Sequence, residues 1–124
     1  MLEIRREQMA AFAGAMRRRF ERRVAAHLHD LFPHMCKEMG DEAVRLSIRS
    51  GVQRAARYGV ATEYDVVRSI ELTYLLSPDF DVALPWAAAI LNGRDTGSYT
   101  KTNELCRRAR EEAKPASGYW PPDE

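Results

Sequence analysis

The chain has 124 residues, of which 45% are hydrophobic and 30% charged, with a net charge of +1. That is enough apolar mass for one folded domain, which excludes a wholly disordered chain. The longest uncharged stretch, Val82 to Gly93, is too short for the ~20 residues of a membrane span, and two cysteines, Cys36 and Cys106, exclude a disulfide-dense scaffold.

In chain order, the first predicted element is a helix from Glu3 to Leu31. Ile4, Met9, Phe12, Met16, Phe20, Val24, Leu28 and Leu31 recur at mostly three- and four-residue steps and share one face. Pro33 ends it, because the residue before a proline avoids the helical region. At 1.5 Å per residue such a helix is roughly 43 Å long. It must kink near Gly14 or project past the body. His34 to Met39 reads as a helical turn closed by Gly40. Asp41 then caps a helix that carries Ala43, Val44, Leu46, Ile48, Val52, Ala55 and Ala56, with Arg45, Arg49, Arg54 and Arg57 on its exposed face and a stop at Tyr58-Gly59.

Thr62 starts the next helix, with Asp65 as the capping acid. Val66, Val67, Ile70, Leu72, Tyr74, Leu75 and Leu76 make it the most apolar and place it centrally. Ser77-Pro78 ends it, and Asp79-Phe80-Asp81 reads as a loop. Pro85 opens a short buried helix through Leu91. Arg94 to Thr100 reads as a mobile loop. A last helix, Lys101 to Ala113, has only Leu105, Cys106 and Ala109 to turn inward and reads as peripheral.

The expected fold is therefore all-α: a single bundle of five or six helices over residues 1–114, followed by an extended or disordered proline-rich tail over 115–124. The expected core is Phe12, Met16, Phe20, Val24, Leu28, Leu46, Ile48, Val52, Val67, Ile70, Tyr74, Leu75, Trp86, Ile90 and Leu91.

Charge is unevenly placed. Residues 1–60 carry twelve basic and seven acidic residues; residues 61–124 carry seven and eleven. Sixteen of the nineteen basic residues are arginine, whose planar fork suits carboxylates and phosphates. Arg17, Arg18, Arg19, Arg22 and Arg23 cluster on the first helix. Arg18, Arg19, Arg22 and Arg23 lie on two adjacent rows away from the Met16–Phe20–Val24 stripe. Such a face can be plainly solvated, can meet a protein partner, or can track phosphates. A pI near 7.8 and the lack of aromatics among the arginines weigh against nucleic acid.

Catalytic and metal signatures are weak. His27, His29, Asp30, His34 and Cys36 are close in sequence. Residues 27 and 29, however, point ~200° apart on a helix, so they do not converge on a tetrahedral ion. There is no P-loop, no dinucleotide fingerprint and no HExxH motif. The residues favoured for partner contact are Arg18, Arg19, Arg22 and Arg23, the Asp79-Phe80-Asp81 segment, and Tyr119 and Trp120 in the tail. Aromatic anchors beside Pro121-Pro122 suit docking in another protein's groove. No cofactor, metal or catalytic residue is expected, and no export signal is read in the arginine-broken start, so the cytoplasm is the expected compartment.

Tyr58-Gly59-Val60, Glu63, Asp65-Val66, Leu72 to Leu76, Asp79-Phe80-Asp81, Leu84-Pro85-Trp86-Ala87 and Ile90-Leu91 follow one another in the order "YGI, acid, DV, LM, DFD, PWA, IL". Over residues 3–92 this resembles a family of small helical bacterial proteins encoded beside type VI secretion spike-tip (PAAR-like) proteins and their effectors. Ser69-Ile70 and Ser77-Pro78 depart from the pattern, and the tail lies beyond it. The resemblance brings no catalytic residue. It implies a non-enzymatic accessory protein that binds an effector or spike component as an adaptor or chaperone. The alternatives are an immunity protein that neutralises a toxin and an arginine-faced nucleic-acid binder. Self-association is compatible with each.

Overall fold

A computed structural model describes residues 2–93 and 97–112, with side chains from residue 11 onward except at position 12. Among these residues it contains seven helices and no strand: α1 (Leu2–Leu31), α2 (Pro33–Met39), α3 (Asp41–Arg57), α4 (Glu63–Leu75), α5 (Phe80–Ala83), α6 (Pro85–Leu91) and α7 (Ser98–Glu112). The fold is an all-α bundle. No helix among the described residues is long and apolar enough to cross a membrane.

Local chemistry sets the boundaries. Proline occupies the first turn of α2 and of α6, where its missing N–H has no helical acceptor. Gly40 turns the chain from α2 into α3 at φ 86°, in the left-handed region that favours glycine. At the start of α4 the Thr62 hydroxyl oxygen accepts the Asp65 N–H at 3.3 Å. α1 runs unbroken through Gly14 for 30 residues, about 45 Å at 1.5 Å each.

Side-chain pairs give the directions. Glu21 meets Arg49 and His29 meets Asp41, so α1 and α3 are antiparallel. Ser47 meets Tyr74 and Gly51 abuts Ile70, so α3 and α4 are antiparallel too. Asp65 meets Ser98 and Thr102 while Arg68 meets Asn103, so α4 and α7 run parallel.

α4 divides the interior. Val66, Ile70 and Tyr74 join Val24, Leu28, Phe32, Cys36, Val44, Ile48, Ala55 and Val60 in one apolar cluster. Leu72 joins Phe80, Ala87, Leu91, Leu105, Cys106 and Ala109 in a second. The central place expected for this helix is therefore observed. Val24, Leu28, Ile48, Ile70, Tyr74 and Leu91 are buried as expected. Phe20, Val67, Leu75, Trp86 and Ile90 are half-buried against these clusters.

Three expected core residues are exposed: Met16 at 42%, Leu46 at 52% and Val52 at 36%. The buried stripe of α3 is Val44, Ile48, Gly51 and Ala55. Leu46 falls on the opposite side of that helix, and Val52 falls at the stripe's edge. Phe12 lies outside the described side chains. The segment 94–100, expected to be a loop, gives its last three residues to α7, which begins at Ser98. α7 is no mere peripheral helix: Thr102, Leu105, Cys106 and Ala109 are buried and close the second cluster.

Candidate partner-binding groove

The interior consumes more charge than the sequence suggests. Glu21, Asp65, Glu71 and Asp81 are all buried carboxylates, and Arg68 is buried with them. A buried charge is tolerable only with matched partners. Glu21 on α1 accepts from Arg49 Nε at 2.8 Å. Glu71 on α4 contacts His27 Nε2 at 2.6 Å. Asp81 on α5 accepts from Tyr58 Oη at 2.8 Å and pairs with Arg54.

Asp65 is held by three hydroxyls. Its Oδ2 accepts from Thr62 at 2.8 Å and Ser98 at 2.7 Å, and its Oδ1 accepts from Thr102 at 2.9 Å. Burial pushes this carboxyl upward, but the three hydroxyls and the Arg68 charge outweigh it and hold the group below the usual carboxylate range.

These pairs relocate several candidate residues. Arg49 and Arg54, expected on a free face of α3, bind buried carboxylates instead. Asp79-Phe80-Asp81 is not a loop. Phe80 opens α5 and is buried with Asp81, so only Asp79 of the three faces solvent. A phenyl ring in the second cluster and a carboxylate held by Arg54 and Tyr58 are occupied within the fold. Arg23 pairs with Glu63, and its guanidinium lies 5.7 Å from the Phe20 ring centroid. Tyr119 and Trp120 lie outside the described residues. The histidine–cysteine cluster disperses: His27 goes to Glu71, His29 lies 3.7 Å from Asp41, and Cys36 is buried in the first core cluster.

Four arginines of α1 are left over. Arg17, Arg18, Arg19 and Arg22 are exposed, and none has a carboxylate partner among the described residues. α1, α3 and the start of α4 enclose an open groove of about 610 Å³, to whose lining Arg17 alone of these four contributes. Met16, Phe20, Val52 and Val66 give it an apolar lining, and Arg17 and Gln53 sit at its edge. The two acids at this groove are matched, Glu21 by Arg49 and Glu63 by Arg23. On the far side of the Glu21–Arg49 pair lies a second hollow of about 310 Å³, lined in part by Arg18, Arg22 and Arg45.

A third hollow, about 380 Å³, lies between α1 and α4. Its lining includes His27, Glu71, Tyr64 and Arg68, with the Arg68 guanidinium 5.2 Å from the Tyr64 ring centroid. Among the described residues no three His, Cys, Asp or Glu side chains lie together to hold a metal ion.

The groove was half legible in the sequence. Arg17 belongs to the arginine cluster of the first helix, but the arginines favoured there for contact, Arg18, Arg19, Arg22 and Arg23, do not line the groove, and most of its apolar lining reads as core. The buried row Asp65, Arg68 and Glu71 was missed. Its signal is a three-residue spacing, which puts the charges on one face of an otherwise apolar helix.

No family model matches the chain, and no curated protein or solved structure matches it.

Proposed function

We propose that this protein is a non-enzymatic binding module that uses the groove between α1, α3 and α4 to hold a protein partner. The observation that carries this reading is the coincidence of unsatisfied apolar and cationic surface. Met16 and Val52 are exposed in a groove whose edge carries Arg17, an exposed arginine with no carboxylate partner among the described residues. Exposed apolar side chains ringed by polar ones are the ordinary composition of a protein interface.

The resemblance to proteins encoded beside secretion effectors supplies the biological setting for this reading: an adaptor or chaperone that carries an effector or spike component. The experiment is co-purification of the chain with the effector encoded beside it. Capture of the effector, and its weakening on charge reversal at Arg17, is the expected result. Failure to co-purify removes the adaptor reading. Rescue of cells from the effector's toxicity, without any gain in its soluble yield, selects the immunity role instead.

A further inference from the structure

We infer that the hollow between α1 and α3, on the far side of the Glu21–Arg49 pair from the apolar groove, binds the phosphate group of a small phosphate monoester. The site is separate from the groove and does not rest on what the groove holds. The hollow measures about 310 Å³. Arg18 and Arg22 line it from α1, one helical turn apart, and Arg45 and Arg49 line it from α3, again one turn apart. The acids of this face have their own partners. Glu21 is buried and accepts from Nε and Nη2 of Arg49 at 2.8 and 3.3 Å. Glu42 pairs with Arg45. Asp41, the other carboxylate of the lining, lies 3.7 Å from His29, which is about 10.5 Å of helix beyond Arg22. At the Arg18–Arg22 end, three guanidinium groups (Arg18, Arg22 and Arg49) therefore meet one carboxylate, and two positive charges are left uncompensated. Arg18, Arg22 and the Nη1 of Arg49 have no acceptor among the described residues.

That surplus sets the charge of the ligand, and the donors set its shape. A phosphate monoester carries a charge of about −1.5 to −2 at neutral pH and offers three acceptor oxygens on one centre. Three oxygens that diverge suit donors arriving from two helices. A carboxylate has two oxygens in one plane, which a single guanidinium fork can fill. A nucleic-acid backbone carries one charge per phosphate and needs cations in a row, but this furrow runs on to the exposed Asp41. The size of the hollow lies at the lower end of ligand pockets, about 300–1,000 Å³. Ala25 and Val44 also line it and give an apolar wall for the organic part of the ester.

The test titrates the full chain at one ionic strength with phenyl phosphate, inorganic phosphate, succinate and a single-stranded oligonucleotide that lacks a terminal phosphate. Binding is read by isothermal titration calorimetry. Phenyl phosphate is expected to bind at one site, more tightly than inorganic phosphate and about tenfold or more above succinate, the difference one charge-assisted hydrogen bond makes. Arg18→Gln/Arg22→Gln should weaken phenyl phosphate by about tenfold or more, and Arg22→Gln alone should weaken it by less. Arg19→Gln removes the same charge from the same helix outside the hollow and should leave the affinity unchanged. All three arginines are exposed, so the thermal midpoints of the variants without ligand should match the wild type. Failure of phenyl phosphate to bind, succinate bound as tightly, or tighter binding of the oligonucleotide overturns the inference. So does inorganic phosphate bound as tightly as the ester, which would make the free ion the ligand. An equal loss in Arg19→Gln and in the Arg18/Arg22 variant also overturns it, because the attraction would then belong to the charge of α1 as a whole.

Discussion

Gly51 of α3 faces Ile70 of α4 so closely that a β-carbon on the glycine would lie 2.6 Å from Ile70 Cγ1. Gly51 is buried in the middle of a helix, and Ile70 is fully buried in the first core cluster. The contact explains why a helix interior keeps a residue of poor helix propensity.

Gly51→Ala should therefore destabilise the fold. The propensity gain is at most ~1 kcal/mol, whereas overpacking a tight core costs ~1–3 kcal/mol. Urea denaturation should show a lower midpoint. In Gly51→Ala/Ile70→Ala the glycine substitution should cost less than it does alone, since the clashing atom is gone. Equal costs in both backgrounds would mean that the helices separate freely.

Arg54 and Tyr58 of the α3 end hold the buried Asp81 carboxylate. Arg54→Leu should cost about 1–3 kcal/mol, because it strands a desolvated charge whose lost partner was itself partly hydrated. Tyr58→Phe should cost ~1 kcal/mol, the net worth of one hydrogen bond. The two losses should couple in a double-mutant cycle, since both act on one carboxylate.

Asp65 gives a pH dependence whose sign is fixed. Its folded pKa lies below the ordinary carboxylate value of roughly 4. Its contribution is therefore complete above that pH and is lost as pH falls through the lowered folded value. Asp65→Asn should be less stable than wild type at neutral pH, and the gap should narrow as the medium is acidified below about pH 4. A constant gap would mean that the charge, as opposed to the shape, contributes nothing.

Both thiols should be inert in the folded protein. Burial raises Cys36, and burial, only partly opposed by the Arg68 charge, raises Cys106 to about 11. The reactive thiolate is then scarce at neutral pH, and both sulfurs are covered. A thiol reagent should label neither cysteine without denaturant and both with it.

The sequence disclosed the helices well because proline, glycine and capping residues mark their ends locally. Pro33, Gly40, Thr62 and Pro85 all act where the spacing puts them. It disclosed the core less well wherever tertiary placement decides burial. Met16 belongs to the same stripe as Val24, yet it lines the open groove while Val24 is enclosed by neighbouring helices. Arg49 and Arg54 looked like solvated residues because their acids, Glu21 and Asp81, lie 28 and 27 positions away. Long-range charge pairing of that kind has no local periodicity.

Stability and partner capture are measured together in one protein, the Met16→Gln/Val52→Gln variant. An unchanged thermal midpoint together with loss of effector co-purification is the expected result. A lowered midpoint with the effector still bound would show instead that these side chains serve the fold and that the partner binds elsewhere.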